Sequence, residues 1–325
     1  MRWGYLIILL AIQSTHSQTI TQNFGTGANQ FSIDFITIGN AGNIADTTGS
    51  PNPAGSLSYT YQIGKYEVSR DIVNKGNILG NLGITMADMS AKGGNGSLGP
   101  ATGISWNEAA IFINYLNLSY GSPLAYKFAT SPGDAGYVVN SNITYWSSGT
   151  AEYNSQNPAR NKLAKFFLPD LDEWYKAAYF SAANNKYYDY ATGSDLAPTA
   201  VAGGTSAGTA VYNNISIGPT DVNLAGGISP YGTMGQNGNV AEWIEEKLGG
   251  GYNSSGVGGG YMWLKGGGWG SVSGGLSSTG QDAYFSVDGP DIAGFRVAAI
   301  IPEPSALSFV AVGLGALAMM RRRRS

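Results

Sequence analysis

Glycine recurs so often in this chain, 48 times in 325 residues with only 12% of residues charged, that a helical bundle is disfavoured and many turns are expected. Aromatic residues make up 12% of the sequence, with 7 tryptophans and 20 tyrosines. That is ample material for a core, so the glycine marks loops rather than disorder. The expectation is a loop-rich globular domain.

The chain contains no cysteine and one histidine, His16. No disulfide framework can staple the fold. Because His16 falls in a segment read below as a signal peptide, the mature chain should carry neither imidazole nor thiolate. This excludes a Ser-His-Asp triad, a cysteine nucleophile, a Cys/His zinc site and a facial iron triad, so copper, iron and zinc are not expected. Only oxygen ligands remain for a metal. The net charge is −3, and the one dense basic run is Arg321 to Arg324 at the C-terminus. No basic face for nucleic acid is visible, and no nucleic-acid partner is expected.

The two ends read as targeting segments. Met1 and Arg2 precede an apolar stretch from Tyr5 to Ile12 and a small polar run from Ser14 to Ser17, the pattern of a secretory signal over residues 1–17. The rival reading, an N-terminal core helix, fits the polar ending less well. At the other end, Pro302-Glu303-Pro304 precedes the apolar run Ala306 to Met320 and four arginines, within a segment spanning 301–325. A membrane helix over about 305–320 with the Arg run 321–324 held in the cytoplasm is expected. This three-part tail resembles the PEP-CTERM sorting signal. The resemblance implies signal peptidase and an exosortase-type protease as processing partners; a plain C-terminal membrane anchor is the alternative. Either way the domain over 18–300 is expected outside the cytoplasm, at the cell envelope or surface.

Inside that domain, Phe31 to about Ser58 reads as a strand followed by a long loop, with a second strand entered at Tyr59 to Tyr61. Ser105 with Glu108 forms a capping box, and Trp106, Ala109, Ile113 and Leu116 then recur on one helical face. Asp170 with Glu173 repeats the device for a second helix, with Trp174, Ala177 and Ala178 facing inward. After Phe180 glycine punctuates short stretches such as Ala210 to Ile215 and Tyr261 to Lys265. The reading is two helices on an irregular, mostly antiparallel β framework.

Seven motifs follow one another: Gly64-Lys65-Tyr66-Glu67-Val68-Ser69, Ile104-Ser105-Trp106-Asn107-Glu108-Ala109, Leu168 to Ala178, Tyr231-Gly232, Gly238-Asn239-Val240-Ala241-Glu242-Trp243, Lys265-Gly266-Gly267-Gly268-Trp269, and Gly294-Phe295-Arg296-Val297. Together they resemble the formylglycine-generating (sulfatase-modifying factor) enzyme family. The resemblance implies an irregular, loop-rich α+β fold related to C-type lectins, with two main amphipathic helices and short antiparallel strands. It also implies an oxidase built on two copper-binding cysteines between the last two motifs. Here that stretch, Gly270 through Leu276 to Asp288, holds no cysteine, and serine is neither a soft copper ligand nor easily deprotonated. The iron-dependent relatives need histidines that the mature chain lacks.

What the resemblance leaves is calcium. It implies an oxygen-rich site formed by Gly238, Val240 and Glu242, with Gly235 standing where an acidic ligand is expected and Asn237 or water filling in. A second calcium site would fall near Asn214, Ile215 and Asp221. The tryptophans Trp106, Trp174, Trp243 and Trp269, with Glu173 and Asn239, read as structural motif residues, and Arg296 as a buried ion-pair partner of Glu242 or Glu67. Glu67, Glu108 and Glu173 read as capping or strand-end groups.

Two functions remain open. One is a non-catalytic binding or matrix protein presenting the Gly/Ser/Asn/Tyr-rich loops Tyr187 to Asn214 and Gly249 to Gly260, with glycan or extracellular polymer as partner. The other is an enzyme using Glu, Asp and Tyr for acid/base work on a secreted substrate, which needs a carboxylate of raised pKa in a pocket. Two carboxylates facing each other in a cleft would favour the enzyme; a shallow aromatic surface would favour binding.

Overall fold

The computed structural model describes residues 18–247 and 260–301. The expected signal peptide, the tail from 302 and most of the 249–260 loop lie outside the described residues. No helix among the described residues is long and apolar enough to cross a membrane.

The strands that carry the fold are β1 (Thr19–Phe24), β2 (Phe31–Ile38), β3 (Tyr61–Gly64), β4 (Phe166–Phe167), β5 (Ala241–Lys247), β6 (Tyr261–Lys265), β7 (Asp282–Phe285), β8 (Ala293–Gly294) and β9 (Ala298–Ile300). One antiparallel sheet runs β1-β2-β3-β9-β4, which brings the last described strand between the third and fourth. The other runs β7-β6-β5-β8, antiparallel except for the parallel β5–β8 pair. In β2 the two-residue period of a strand serves two cores. Phe31, Ile33 and Phe35 join the main cluster, while Ile36 and Ile38 face a second cluster with Phe180 and Tyr231.

Helices α1 (Arg70–Gly80), α2 (Trp106–Tyr120), α3 (Leu171–Tyr179) and the single turn α4 (Ser273–Leu276) occupy the connections. The capping boxes at Ser105/Glu108 and Asp170/Glu173 are both formed. One expectation needs correction. The sequence reading has no α1, which the Ser69 hydroxyl caps by accepting from the Ile72 N–H at 3.4 Å. The helix expected from Ser105 is a buried one, and in α2 every residue from Trp106 to Asn117 is buried. Its polar members are satisfied sideways. Asn114 Oδ1 accepts from the Ala125 and Tyr126 N–H groups, and Asn117 Oδ1 from Lys165 and Phe166, so two asparagines hold two loops against the helix as extra strands would.

Candidate functional site

The motif residues converge on the join between the two sheets. At the start of β5, Glu242 is fully buried, and its carboxylate takes both Nε and Nη2 of Arg296 in a two-pronged pair and the Trp174 indole N–H at 2.7 Å. Arg296 fills its remaining valences on the carbonyls of Gly64 at 2.8 Å and Met234 at 2.9 Å. Such a pair is held by complete satisfaction of its donors and acceptors in a buried site. Beside it, Asn239 adopts a left-handed backbone (φ 58°). Its side-chain amide donates to Glu67 at 2.6 Å, and the Val240 N–H donates to the other Glu67 oxygen at 3.2 Å. Burial, with the Glu242 charge adding to it, pushes the Glu67 carboxyl well above the usual range, against Arg296 and these two donors.

This arrangement bears on calcium. Glu242 is held by Arg296 and Trp174, and Asn237 Oδ1 by the Ala191 N–H at 3.1 Å while its buried Nδ2 has no partner. A Cβ at Gly235 would sit 2.9 Å from Glu67 Cδ, so the space of the expected acidic ligand is filled by the Glu67 carboxylate. A calcium ion here would have to take Glu242 from a guanidinium, and the residues as arranged do not fit the ion. Nor does the second expected set assemble: Asn214 donates to Gly270 O at 3.4 Å, Ile215 is exposed, and Asp221 lines a cavity that neither of them borders. Among the described residues no group of three or more His, Cys, Asp or Glu gathers as ligands.

The other motif residues are packing groups. Trp106 Nε1 donates to Ile244 O and Trp243 Nε1 to Ile104 O, a reciprocal clasp between α2 and β5. Trp269 packs on Met89, Val211 and Val240. Glu108 accepts from the Ser105 and Thr85 N–H groups. Glu173 caps α3 and also belongs to a second buried hub missed at the sequence level. There Arg160 bridges Glu173 and Glu245, with Asn157 and Tyr126 also on Glu245 and Tyr59 on Glu173. Burial raises Glu245 to about 7, chiefly opposed by Arg160. Each of these hub carboxylates and Glu67 is almost wholly closed off from solvent.

On the outer face of the second sheet the chemistry differs. Tyr261 and Phe285 are cross-strand partners with ring centroids 4.1 Å apart and are 42% and 41% exposed. Trp263, two residues along β6 and so on the same face, joins Gln281, Asp282 and Ala283 around a shallow depression of about 280 Å³. The Trp263 indole N–H there is buried without a partner. The alternation in the stretch Tyr261 to Lys265 was the available signal, but the pairing partner Phe285 lies 24 residues on and no local pattern announces it.

Residues 34–301 match the family model described as sulfatase-modifying factor enzyme 1-like domain. Among solved structures, CarF is 18% identical with a TM-score of 0.58, covering 83% of this chain and 98% of its own. The Treponema denticola variable protein 1 is 18% identical with a TM-score of 0.56, covering 87% and 99%. PvdO from Pseudomonas aeruginosa is 14% identical with a TM-score of 0.50, covering 86% and 98%. At these identities the likeness establishes the fold. No curated protein matches the sequence.

Proposed function

We propose that this chain, which belongs to the sulfatase-modifying factor enzyme 1-like domain family, acts as an exported binding protein for a glycan or extracellular polymer rather than as an oxidase. The observation that carries the reading is the aromatic shelf of Tyr261, Trp263 and Phe285 beside Asp282 and Gln281. Tyr261 and Phe285 are exposed and Trp263 is half-buried; rings so placed next to a few polar groups stack on the C–H faces of sugars while the carboxylate and amide take hydroxyls. The shelf joins β6 to β7, and β7 lies within the stretch from Gly270 to Asp288 where the family's thiol chemistry is expected; here that stretch holds no cysteine. Most of the buried carboxylates weigh against the acid/base enzyme: Glu242, Glu173 and Glu245 are each bound to an arginine and closed off from solvent. Glu67 does border a cavity of about 210 Å³ with Asp34, the one place among the described residues where that alternative would act, but both Glu67 oxygens already accept from Asn239 and the Val240 N–H. Export rests on the terminal segments, with the tail as the retention or sorting device.

The test is affinity electrophoresis of the full chain through gels holding a panel of soluble polysaccharides. Retardation by at least one polymer, reduced tenfold or more in the Trp263→Ala variant, is the expected result. No retardation by any polymer, or equal retardation of the variant, overturns the reading.

A further inference from the structure

Away from that shelf, the first turn of α1 meets the glycine-rich loop 93–99 and the segment 219–221 around a polar cavity of about 190 Å³. Arg70 lines it. The side chain is 9% exposed, and its Nη1 is buried with no hydrogen-bond partner. Among the described residues Arg70 forms no ion pair. The nearby Asp88, itself exposed, is turned to Ser90 and Asn95, from which it accepts at 3.0 and 2.7 Å. Nη1 is turned into the protein, but Nε and Nη2 have no protein acceptor among the described residues and are not closed off, so the edge of the guanidinium they form is one that a ligand acceptor would complete.

Across the cavity stands Asp221, whose side chain makes no capping bond to the turn it precedes. It forms no ion pair with Arg70, although both line the same space. The glycines hold this space open. A Cβ at Gly99 would lie 3.8 Å from Arg70 Cδ, and one at Gly96 3.9 Å from Asp221 Oδ1. Pro219 and Met89 supply the apolar part of the wall.

We infer that this cavity binds a small carboxylate whose opposite end carries hydrogen-bond donors, with the carboxylate on Arg70 and the donors on Asp221. A planar fork against a carboxylate is the geometry in which arginine is most selective. An inorganic oxyanion would turn acceptors toward Asp221 and is disfavoured. The volume suits a molecule of monosaccharide size or smaller. Two sources share this chemistry: a uronate, which presents hydroxyls to Asp221, and a free α-amino acid, which presents an ammonium. The inference does not depend on the aromatic shelf.

The experiment is saturation-transfer NMR and calorimetry on the full chain with four probes: glucuronate, serine, acetate and sulfate. Binding of glucuronate or of serine, at least tenfold tighter than acetate and sulfate, is expected, and the arm that binds identifies the source. The Arg70→Met variant should lose tenfold or more. Gly96→Val should lose a similar amount without touching Arg70, because its side chain grows into the cavity from a backbone outside the left-handed region. Failure of both donor-bearing probes overturns the inference, as does equal or tighter binding of acetate or sulfate, or undiminished binding by a folded Gly96→Val protein.

Discussion

Glu67 occupies the space that an acidic side chain at position 235 would need, and this exchange has an energetic signature. Gly235 has φ 84°, where a side chain is strained, and its Cβ would press on the Glu67 carboxyl. Gly235→Asp therefore adds backbone strain and a second carboxylate in a site with no further cation, and should cost about 2–4 kcal/mol. Glu67→Ala removes the obstruction but strands the Asn239 amide. If Glu67 is what fills the gap, the double variant recovers at least 1 kcal/mol relative to the sum of the two single losses. Urea unfolding of the four proteins measures this directly. Simple additivity would show that position 235 and Glu67 do not compete for the same space.

At the scale of elements, α1 shows how one residue can hide a helix from sequence reading and also require it. Gly76 and Gly80 lower the helical propensity of Arg70–Gly80, yet a Cβ at Gly76 would meet the Phe112 ring at 2.6 Å. The glycine is the point at which α1 presses on α2. Gly→Ala inside a helix ordinarily stabilises by about 1 kcal/mol. Gly76→Ala should instead destabilise by about 1–3 kcal/mol through overpacking, read as a lower denaturation midpoint at unchanged slope; a rise in midpoint would mean that the ring yields freely. The same contrast explains what was legible. Ser105/Glu108 and Asp170/Glu173 are caps whose partners lie three residues away, so the sequence carries them. Arg70 facing Asp221, Arg160 between Glu173 and Glu245, and Tyr261 beside Phe285 join residues separated by long irregular segments, and no periodicity encodes those meetings. The seven motifs carried the fold because they are its packing joints. The shelf and the polar cavity lie between those joints, where this sequence is free to differ.

For the molecule as a whole, the low charge content places a few buried ionisable groups in control of the pH response. Burial lowers Lys265 to about 7, although its ammonium donates to the carbonyls of Ser278 and Gly280 at 3.0 and 2.7 Å, which favour the charged form and soften the shift. Lys176, lowered to about 8 by burial, acts in the same direction. A lysine whose folded pKa lies below its unfolded value contributes stability that is present at high pH and lost as pH falls toward that folded value. From about pH 10 down to 7, then, these lysines lower stability. Glu245 has the opposite sign. Its folded pKa of about 7 lies above the unfolded carboxyl value, so its contribution is present below about pH 4.5 and is lost as pH rises to 7. Glu67, also raised by burial, has the same sign as Glu245, so unfolding free energy measured between pH 5 and pH 10 should pass through a minimum at or somewhat above pH 7, where the opposing slopes meet. Glu245→Gln should flatten the acid-side slope and Lys265→Met the alkaline one, whatever each variant does to absolute stability. A wild-type profile that peaks at pH 7 would mean that Arg160 and the backbone carbonyls of Ser50, Ser278 and Gly280 around Lys265 outweigh desolvation, with both groups charged throughout.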